Sequence, residues 1–358
     1  MEAEPKMENA IHLVRYIPPF LKPECTPESG RCLNHVSFRQ FRGYLANLGA
    51  YASLDAYLKA QLSSKRRNNI RRYIRRLEGC FQVTYVTYRG QMDRELYDRL
   101  INRMKEFLYR RFRQRGDDNE MLRNWEFIER TSYDLIKRDQ ASLFVVYRDQ
   151  EPIGISLNYL VGRIFLNAIG SFDIDFNIFR LGQVQIYKQI EWCFEEGMQM
   201  FDLGVGDLDY KLQWCDVTYP FEHRVHYRGN NFLQVLMARV LVGFLRFKEY
   251  LKRKNLHRLY HLLRKGRPGA TPDAGSTAET LYETLALPKS GNVTGSPLKL
   301  GEETNRFLRK PVYDFLYLNQ VPAGSVSVFR MHGPEEYLIR GKAKAQAIRI
   351  TQKSNTSR

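Results

Sequence analysis

The spacing of apolar residues changes along the chain between the two-residue period of strands and the three-to-four-residue period of helices. Runs rich in β-branched and aromatic residues predict strands, whereas apolar residues three or four positions apart predict amphipathic helices. We therefore expect strands at 12–16, 81–88, 141–147, 153–160, 164–169, 200–203 and 221–227. By the same reasoning we expect helices at 64–79, 92–115, 125–138, 183–197 and 231–263.

Two further segments have helical spacing. Phe41, Leu45 and Leu48 recur at helical intervals before Gly49, so the pattern predicts helix over much of 38–62. Residues 278–287 likewise predict a helix. It would open the C-terminal segment, in which we find no candidate chemistry.

The net charge of the chain limits the classes of partner that we expect it to bind. Lys and Arg number 56 against 39 Asp and Glu, a formal net charge of +17. This favours nucleic acid, an anionic membrane or phosphate-rich small molecules. The acidic N-terminus does not resemble a secretory signal, and the apolar run 235–247 is too short and too charged to cross a bilayer. Five scattered cysteines without a CxxC pair favour reduced thiols in a cytoplasmic protein and argue against a metal site.

The helix predicted at 64–79 is strongly basic. Ser63 or Ser64 can cap its start, and an apolar stripe follows from Ile70 to Leu77. Most basic side chains lie outside this stripe, but helical geometry places Arg66 on it and Arg67 at its edge. Such arginines either make structural ion pairs or anchor an anion at the rim of a cleft. The candidate substrate-binding residues are Arg66, Arg67, Asn69 and Arg71.

A glycine-bearing turn connects the strand at 164–169 to the next helix. The turn Arg180-Leu181-Gly182-Gln183-Val184 opens that helix, where backbone N–H groups without intrahelical acceptors favour an anion. After the following strand comes a cluster of Gly, Asp, Tyr and Lys residues at 204–211. Strand, turn, helix and strand thus predict a site for a phosphate-bearing ligand.

Three motifs in this order resemble the GNAT superfamily of acyltransferases, and most closely its cellulose-biosynthesis-type acetyltransferases and the related Fem peptidyltransferases. The first is SKRRNNIR at 64–71, which is similar to the opening helix of those families. The second is the Gly182 turn after a loop that contains Asp173. The third is FDLGVGDLDYKLQW at 201–214, which resembles their FDFG…YK…W terminus.

The resemblance implies an α/β (α+β) fold with a GNAT-like mixed, mostly antiparallel sheet flanked by helices. It implies that 1–61 and 62–230 form the N-terminal part and the core of an acyltransferase domain, followed by a basic helical segment at 231–265. A Gly- and Pro-rich linker at 266–276 would then lead to a small α+β unit at 277–358.

The resemblance also implies a donor. In the superfamily a turn of the form R/Q-x-x-G-x-G/A holds the pyrophosphate of acyl-CoA, and Arg180, Leu181, Gly182, Gln183 and Val184 occupy this place. The turn keeps the central glycine but lacks the second small residue. The implied co-substrate is acetyl-CoA or another acyl-CoA, without a metal. The Fem branch uses aminoacyl-tRNA instead.

Acyl transfer requires a base for the nucleophile, donors for the oxyanion and an acid for the leaving group. Asp207 and Asp173 are candidate bases, Tyr210 is a candidate acid, and the resemblance assigns a functional role to Lys211. The structural alternative is that Asp207 caps the next helix, that Asp202 pairs with a basic side chain and that Lys211 is a structural partner.

Three hypotheses follow. The first is an acyltransferase that moves an acyl group from CoA to an amine or hydroxyl of a small or sugar-linked anionic acceptor, for example in polysaccharide biosynthesis. The second is a Fem-like aminoacyltransferase that binds tRNA. The third is a non-catalytic protein that binds nucleic acid or an anionic membrane, with 231–265 as a peripheral membrane contact.

Overall fold

The computed structural model describes residues 11–21, 34–115, 120–206, 209–227, 232–253, 281–287 and 293–352. The strands are β1 (His12–Ile17), β2 (Asn34–Asn47), β3 (Val83–Tyr88), β4 (Ala141–Arg148), β5 (Glu151–Val161), β6 (Ile164–Phe172), β7 (Met200–Val205), β8 (Val217–Tyr227), β9 (Leu281–Leu285), β10 (Val293–Leu298), β11 (Ser327–Met331), β12 (Glu336–Arg340) and β13 (Ala345–Gln352). The helices are α1 (Leu54–Gln61), α2 (Ser64–Cys80), α3 (Arg94–Arg115), α4 (Glu120–Arg123), α5 (Trp125–Lys137), α6 (Leu181–Glu195), α7 (Asp209–Trp214), α8 (Phe232–Arg253) and α9 (Arg309–Asn319).

The chain divides into two compact units. The first contains Met1–Asn47 and Asp202–Thr271, and the second contains Leu48–Phe201 and Pro272–Arg358. In the first unit β8 pairs antiparallel with β1 on one side and with β2 on the other. Helix α8 packs on this sheet through Ala238 and Val242, which contact Phe38 and Val225.

The helix expected before Gly49 is wrong, because residues 34–47 form strand β2. The register between β2 and β8 shifts between Gln40 and Arg42, and Phe41 in this bulge has a φ of 62°. A bulge inserts one residue and shifts the phase of the side-chain alternation. The apolar positions on its two sides therefore lose the two-residue period and imitate helical spacing. The second half of the expectation is confirmed by α1.

The second unit is built on the antiparallel meander β3–β4–β5–β6. Helices α3 and α5 cover one face of it through a core that includes Met104, Phe107 and Trp125. Helices α2 and α6 lie on the other face, where Leu77 and Val184 are buried with Phe144. These strands and helices confirm the sequence predictions for 62–200.

The C-terminal residues belong to the second unit and form a five-stranded sheet in the order β10-β11-β12-β13-β9. Buried α9 joins this sheet to the core: Tyr313 packs edge-on against Phe81 and receives a hydrogen bond from Arg148. The helix expected at 278–287 is wrong in its described part, because residues 281–285 form β9 and pair with β13. The predicted linker lies outside the described residues.

Candidate active site

The predicted donor turn lies at the start of α6 in the second unit. Arg180 adopts the left-handed conformation with a φ of 54°, and its side chain makes no cap hydrogen bond to the helix. The first helical hydrogen bonds run from the N–H groups of Gln183 and Val184 to the carbonyl of Arg180, at 2.8 and 3.3 Å. The N–H groups of Leu181 and Gly182 precede these bonds, and with the positive end of the helix dipole they favour an anion.

The five residues of the turn divide between core and surface. Leu181 and Val184 are fully buried in the core, whereas Arg180 is exposed and Gly182 and Gln183 are half-buried. A Cβ added at Gly182 would lie 3.1 Å from Cε1 of Phe172 at the end of β6. The glycine therefore lets the helix start approach the strand end closely. This packing role accounts for Gly182 without any ligand, and it leaves the backbone of the turn accessible.

Buried amides hold α6 against the meander. Gln185 Nε2 donates to the Ser171 carbonyl at 3.2 Å, and Gln189 Nε2 donates to Ser156 Oγ at 3.1 Å. Asn167 Nδ2 donates to Gln189 Oε1 at 2.5 Å. The sequence analysis did not identify these residues, because a glutamine on an apolar helix face gives no signal until its partners on the strands are known.

Asp173, a predicted base, lies in a buried ion-pair cluster. Its Oδ1 accepts from Arg110 at 2.6 Å and from the backbone N–H of Asp175 at 3.1 Å, while Arg110 also donates to Asp175 at 3.0 Å. Burial raises the pKa of the Asp173 carboxyl, but Arg110, the Asp175 backbone N–H, Arg306 and Arg103 together outweigh burial and hold that pKa below its usual value. For Asp175, burial and the Asp173 charge raise the pKa to about 6.

This cluster fixes the segment between β6 and the donor turn. Asp173 caps the 3₁₀ helix Ile174–Phe179, which ends at Arg180. Its Oδ2 is buried without a hydrogen-bond partner among the described residues, and the side chain is only 1% exposed. A carboxylate in this setting is suited to holding the turn. Its catalytic role stays a prediction.

Lys211 lies in the first unit, on the short helix α7, and is buried. Its Nζ donates to the carbonyls of Leu203 at 2.8 Å, Gly204 at 3.4 Å and Val205 at 2.6 Å. An ammonium group has three N–H donors, and it directs them here to carbonyls at the end of β7. These contacts hold the glycine loop in place, and the catalytic role of Lys211 stays a prediction.

The end of β7 has a second buried anchor. Asp202 accepts hydrogen bonds from the Tyr219 hydroxyl and from the Gly204 N–H. Burial raises the pKa of Asp202 above its ordinary value. Gly204 and Gly206 have φ values of 67° and 120°, a region that side-chain-bearing residues rarely adopt. The two glycines of the motif therefore allow the turn that brings the carbonyls towards Lys211.

Of the other two residues in the predicted catalytic cluster, the structure describes only Tyr210. Tyr210 is half-buried on α7. Asp207 lies outside the described residues. Tyr210 therefore stays the predicted acid, and Asp207 stays a predicted base.

The basic helix α2 begins as predicted, because the Ser63 side chain accepts from the Arg66 N–H. The expectation that Arg66 points inward is wrong. Arg66 is exposed, because burial on this helix begins only at Ile70, and Arg67 is the half-buried arginine. Arg67 donates to the carbonyls of Leu62 at 2.5 Å and Lys59 at 3.4 Å, so it joins α2 to the end of α1.

The remaining two candidates on α2 have exposed or half-buried partners. Asn69 accepts from Arg72 at 2.9 Å, and Arg71 lies 3.7 Å from Asp55 in an exposed ion pair. Contacts of this kind contribute little to stability and exchange readily with a ligand. Arg66, Asn69 and Arg71 therefore remain accessible for binding, whereas Arg67 has a structural role.

The described residues offer neither a metal-binding cluster nor a membrane-spanning helix. Within the described ranges no group of three or more His, Cys, Asp or Glu side chains is placed to hold a metal ion. None of the helices described is long and apolar enough to cross a membrane.

The middle of the chain is similar in sequence to a known protein family. Residues 64–212 match the family described as "Acetyltransferase (GNAT) domain". No curated protein matches the sequence.

Solved structures are similar at low sequence identity. The C-terminal domain (DUF2156) of a protein named for lysylphosphatidylglycerol synthetase, from Agrobacterium fabrum, is 13% identical over 65% of this chain and 72% of its own, with a TM-score of 0.40. FemX is 14% identical over 56% and 65%, with a TM-score of 0.41. A tandem GNAT protein from the clavulanic acid pathway is 10% identical over 61% and 62%, with a TM-score of 0.29. The chain thus spans a little under two-thirds of the last two.

Together the family match and the folded elements agree with the fold that the motifs implied. The fold is mixed α/β and GNAT-like, with a mostly antiparallel sheet flanked by helices. Over residues 64–212 the chain is thus similar to GNAT acetyltransferase domains.

Proposed function

We propose that this protein is an acyltransferase that moves an acetyl or similar acyl group from acyl-CoA to an amine or hydroxyl of an anionic acceptor. The observation that carries the proposal is the start of α6. There the helix start has no side-chain cap, Arg180 is left-handed and Gly182 is half-buried, so the backbone N–H groups of the turn are suited to an anion. GNAT domains use acyl-CoA as co-substrate, and its pyrophosphate fits the charge and position of this helix start.

We assign the steps of the reaction to individual residues. The acceptor's amine or hydroxyl attacks the thioester carbonyl carbon while a base, for which Asp207 is the candidate, removes its proton. The carbon–sulfur bond then breaks, and Tyr210 donates a proton to the leaving thiolate. Lys211 and Asp202 act indirectly, because they hold the loop between β7 and α7 through the contacts described above.

An anionic acceptor is proposed from the exposed charge on α2. Arg66 and Arg71 are exposed, and the chain as a whole carries a formal net charge of +17. Such a surface raises the local concentration of acidic substrates. A sugar-linked or nucleotide-linked acceptor in the cytoplasm, as in polysaccharide biosynthesis, has this chemistry and also offers hydroxyl and amine nucleophiles.

The test is thiol release from acetyl-CoA with a panel of sugar-linked acceptors, followed by mass analysis of the product. We expect Tyr210→Phe to lower kcat about 10²- to 10⁴-fold, the usual contribution of a general acid. Tyr109→Phe is the matched control, because Tyr109 is an exposed tyrosine on α3. Equal turnover by both variants would remove Tyr210 from the mechanism. No release with any acceptor or any acyl-CoA would count against the proposal as a whole.

The donor needs its own test, because the turn at 180–184 lacks the second small residue of the acyl-CoA pattern. The alternative is an aminoacyl-tRNA donor, for which the charge of +17 would attract the phosphate backbone. In a filter-binding titration, tRNA affinity that falls steeply with salt and competes with no acyl-CoA would favour the Fem-like alternative. If Tyr210 and Lys211 variants change neither activity nor ligand affinity, the non-catalytic alternative gains.

A further inference from the structure

Helix α8 has two apolar faces, one packed against the sheet and one exposed. Its inner face packs on the sheet of the first unit through Ala238, Val242 and their neighbours. Its outer face carries large apolar residues that are each 46–80% exposed: Phe232, Leu233, Leu236, Met237, Val240, Phe244 and Phe247. Seven of the eighteen exposed large hydrophobic residues in the described part of the chain therefore lie on this one helix.

The exposed residues form one continuous ridge. From Leu233 to Phe247 they recur at intervals of three and four, which places them on a strip about 100° wide along roughly 22 Å of helix. Contiguous exposed apolar surface of this kind marks an interaction site, whereas scattered exposed residues need no explanation. We call this strip the outer stripe of α8.

The basic residues beside the outer stripe of α8 indicate which kind of partner binds there. Exposed Arg239 and Arg246 lie beside the outer stripe, and Arg246 also donates to the Ser37 carbonyl at 3.1 Å. From 239 to 267 the sequence has ten Lys and Arg residues and one acidic residue, Glu249. An apolar strip with basic flanks has the chemistry of a helix that lies in the interface of an anionic bilayer.

The other occupants fit less well. A second copy of this helix would bring Arg239 and Arg246 of both chains together with almost no acidic counter-charge. The segment at 254–267 of this chain is itself basic, with no acidic residue, so it faces the same repulsion. An anionic surface is the occupant that satisfies both the apolar strip and its charged margins.

We propose that the outer stripe of α8 docks the protein on the surface of an anionic lipid bilayer. The helix lies in the plane of the interface and inserts its apolar side chains, while the arginines reach the headgroups. This places acyl transfer at a membrane surface, and it does not depend on the identity of the acyl donor or acceptor.

The test is flotation of the full chain with vesicles of phosphatidylcholine alone or with about a third phosphatidylglycerol. We expect binding to the anionic vesicles that weakens as salt is raised, and binding at least about tenfold weaker for Phe244→Glu. Phe127→Glu is the matched control, because Phe127 on α5 and Phe244 are both 62% exposed. Its binding should equal that of the unmodified protein.

Three results would overturn the proposal. The first is equal binding of Phe244→Glu and the unmodified protein to anionic vesicles. The second is equal binding of the unmodified protein to neutral and anionic vesicles, or to neither. The third is a dimer in solution, seen by light scattering without lipid, that Phe244→Glu converts to monomer, because a second copy would then be the occupant.

Discussion

Replacing Lys211 by Met removes the ammonium group but keeps most of the apolar stem. The carbonyls of Leu203 and Val205 lose donors at 2.8 and 2.6 Å, and the longer contact to Gly204 at 3.4 Å adds less. A buried acceptor left without its donor costs about 1–3 kcal/mol. The Val205 carbonyl is only partly buried, so we expect a total loss of about 2–4 kcal/mol in local stability.

Hydrogen exchange followed by mass spectrometry is the suitable assay, because the protein has two compact units and a single global unfolding midpoint would mix them. Peptides that cover β7 and β8 should exchange faster in Lys211→Met by the amount above. Peptides from β4 and β5 in the second unit serve as an internal reference.

The control is Lys188→Met, the same substitution at a half-buried lysine on α6. Lys188 makes one ion pair, at 2.7 Å to Glu191, and its ammonium lies 4.8 Å from the Tyr85 ring centroid. For the partly exposed pair we expect a change of about 0–1 kcal/mol, and the ring contact adds about 0.5–1 kcal/mol. If Lys211→Met abolished acyl transfer while β7 and β8 kept the exchange rates of the unmodified protein, the positioning role would be refuted. Lys211 would then have to act on the ligand itself.

Three further predictions concern the second unit. Because the pKa of Asp175 is raised to about 6, the ionised Asp175 carboxylate opposes folding, and the contribution of this group to stability falls as pH rises from about 4 to about 6. Asp175→Asn should therefore be about 1–3 kcal/mol more stable than the unmodified protein at pH 7, and this difference should close near pH 4. A difference in stability that does not change with pH in urea titrations would contradict this. Gly182→Ala should weaken acetyl-CoA binding in calorimetry, because its Cβ would lie 3.1 Å from the Phe172 ring and the ring or the turn must move by a few tenths of an ångström. Gly79→Ala on α2, with no atom within 4 Å, should only stabilise the helix, and equal affinities of the two variants would count against donor binding at the turn. Arg67→Met should lower thermal stability by about 1–3 kcal/mol through loss of its carbonyl contacts, and a melting temperature equal to that of the unmodified protein would show that the contacts are dispensable.

Local patterns in the sequence were sufficient for most of the second unit. Helices α2, α3, α5 and α6 each have one apolar face, so hydrophobic periodicity locates them. Strands β4 and β5 are covered on both faces, and their near-continuous apolar runs locate them instead. Periodicity failed at β2, where the bulge at Phe41 changes the phase, and at β9, whose strand form depends on pairing with distant β13.

The candidate site was predictable in its position more than in its contacts. The start of α6 and the loop after β7 could be located from their glycines. The partner of Asp173 could not, because Arg110 is 63 residues away and only the fold brings them together. For the same reason Lys211 could be identified as a residue of interest, but not as a donor to three carbonyls.

Calorimetry with acetyl-CoA tests the central claim most directly, because it needs no knowledge of the acceptor. We predict one binding site per chain with a Kd no weaker than on the order of hundreds of micromolar. The affinity should fall when Gly182 is replaced by Ala and stay unchanged when Gly79 is. A folded sample that gives no binding heat with acetyl-CoA or with longer acyl-CoAs would contradict the assignment of the α6 turn as an acyl-CoA site.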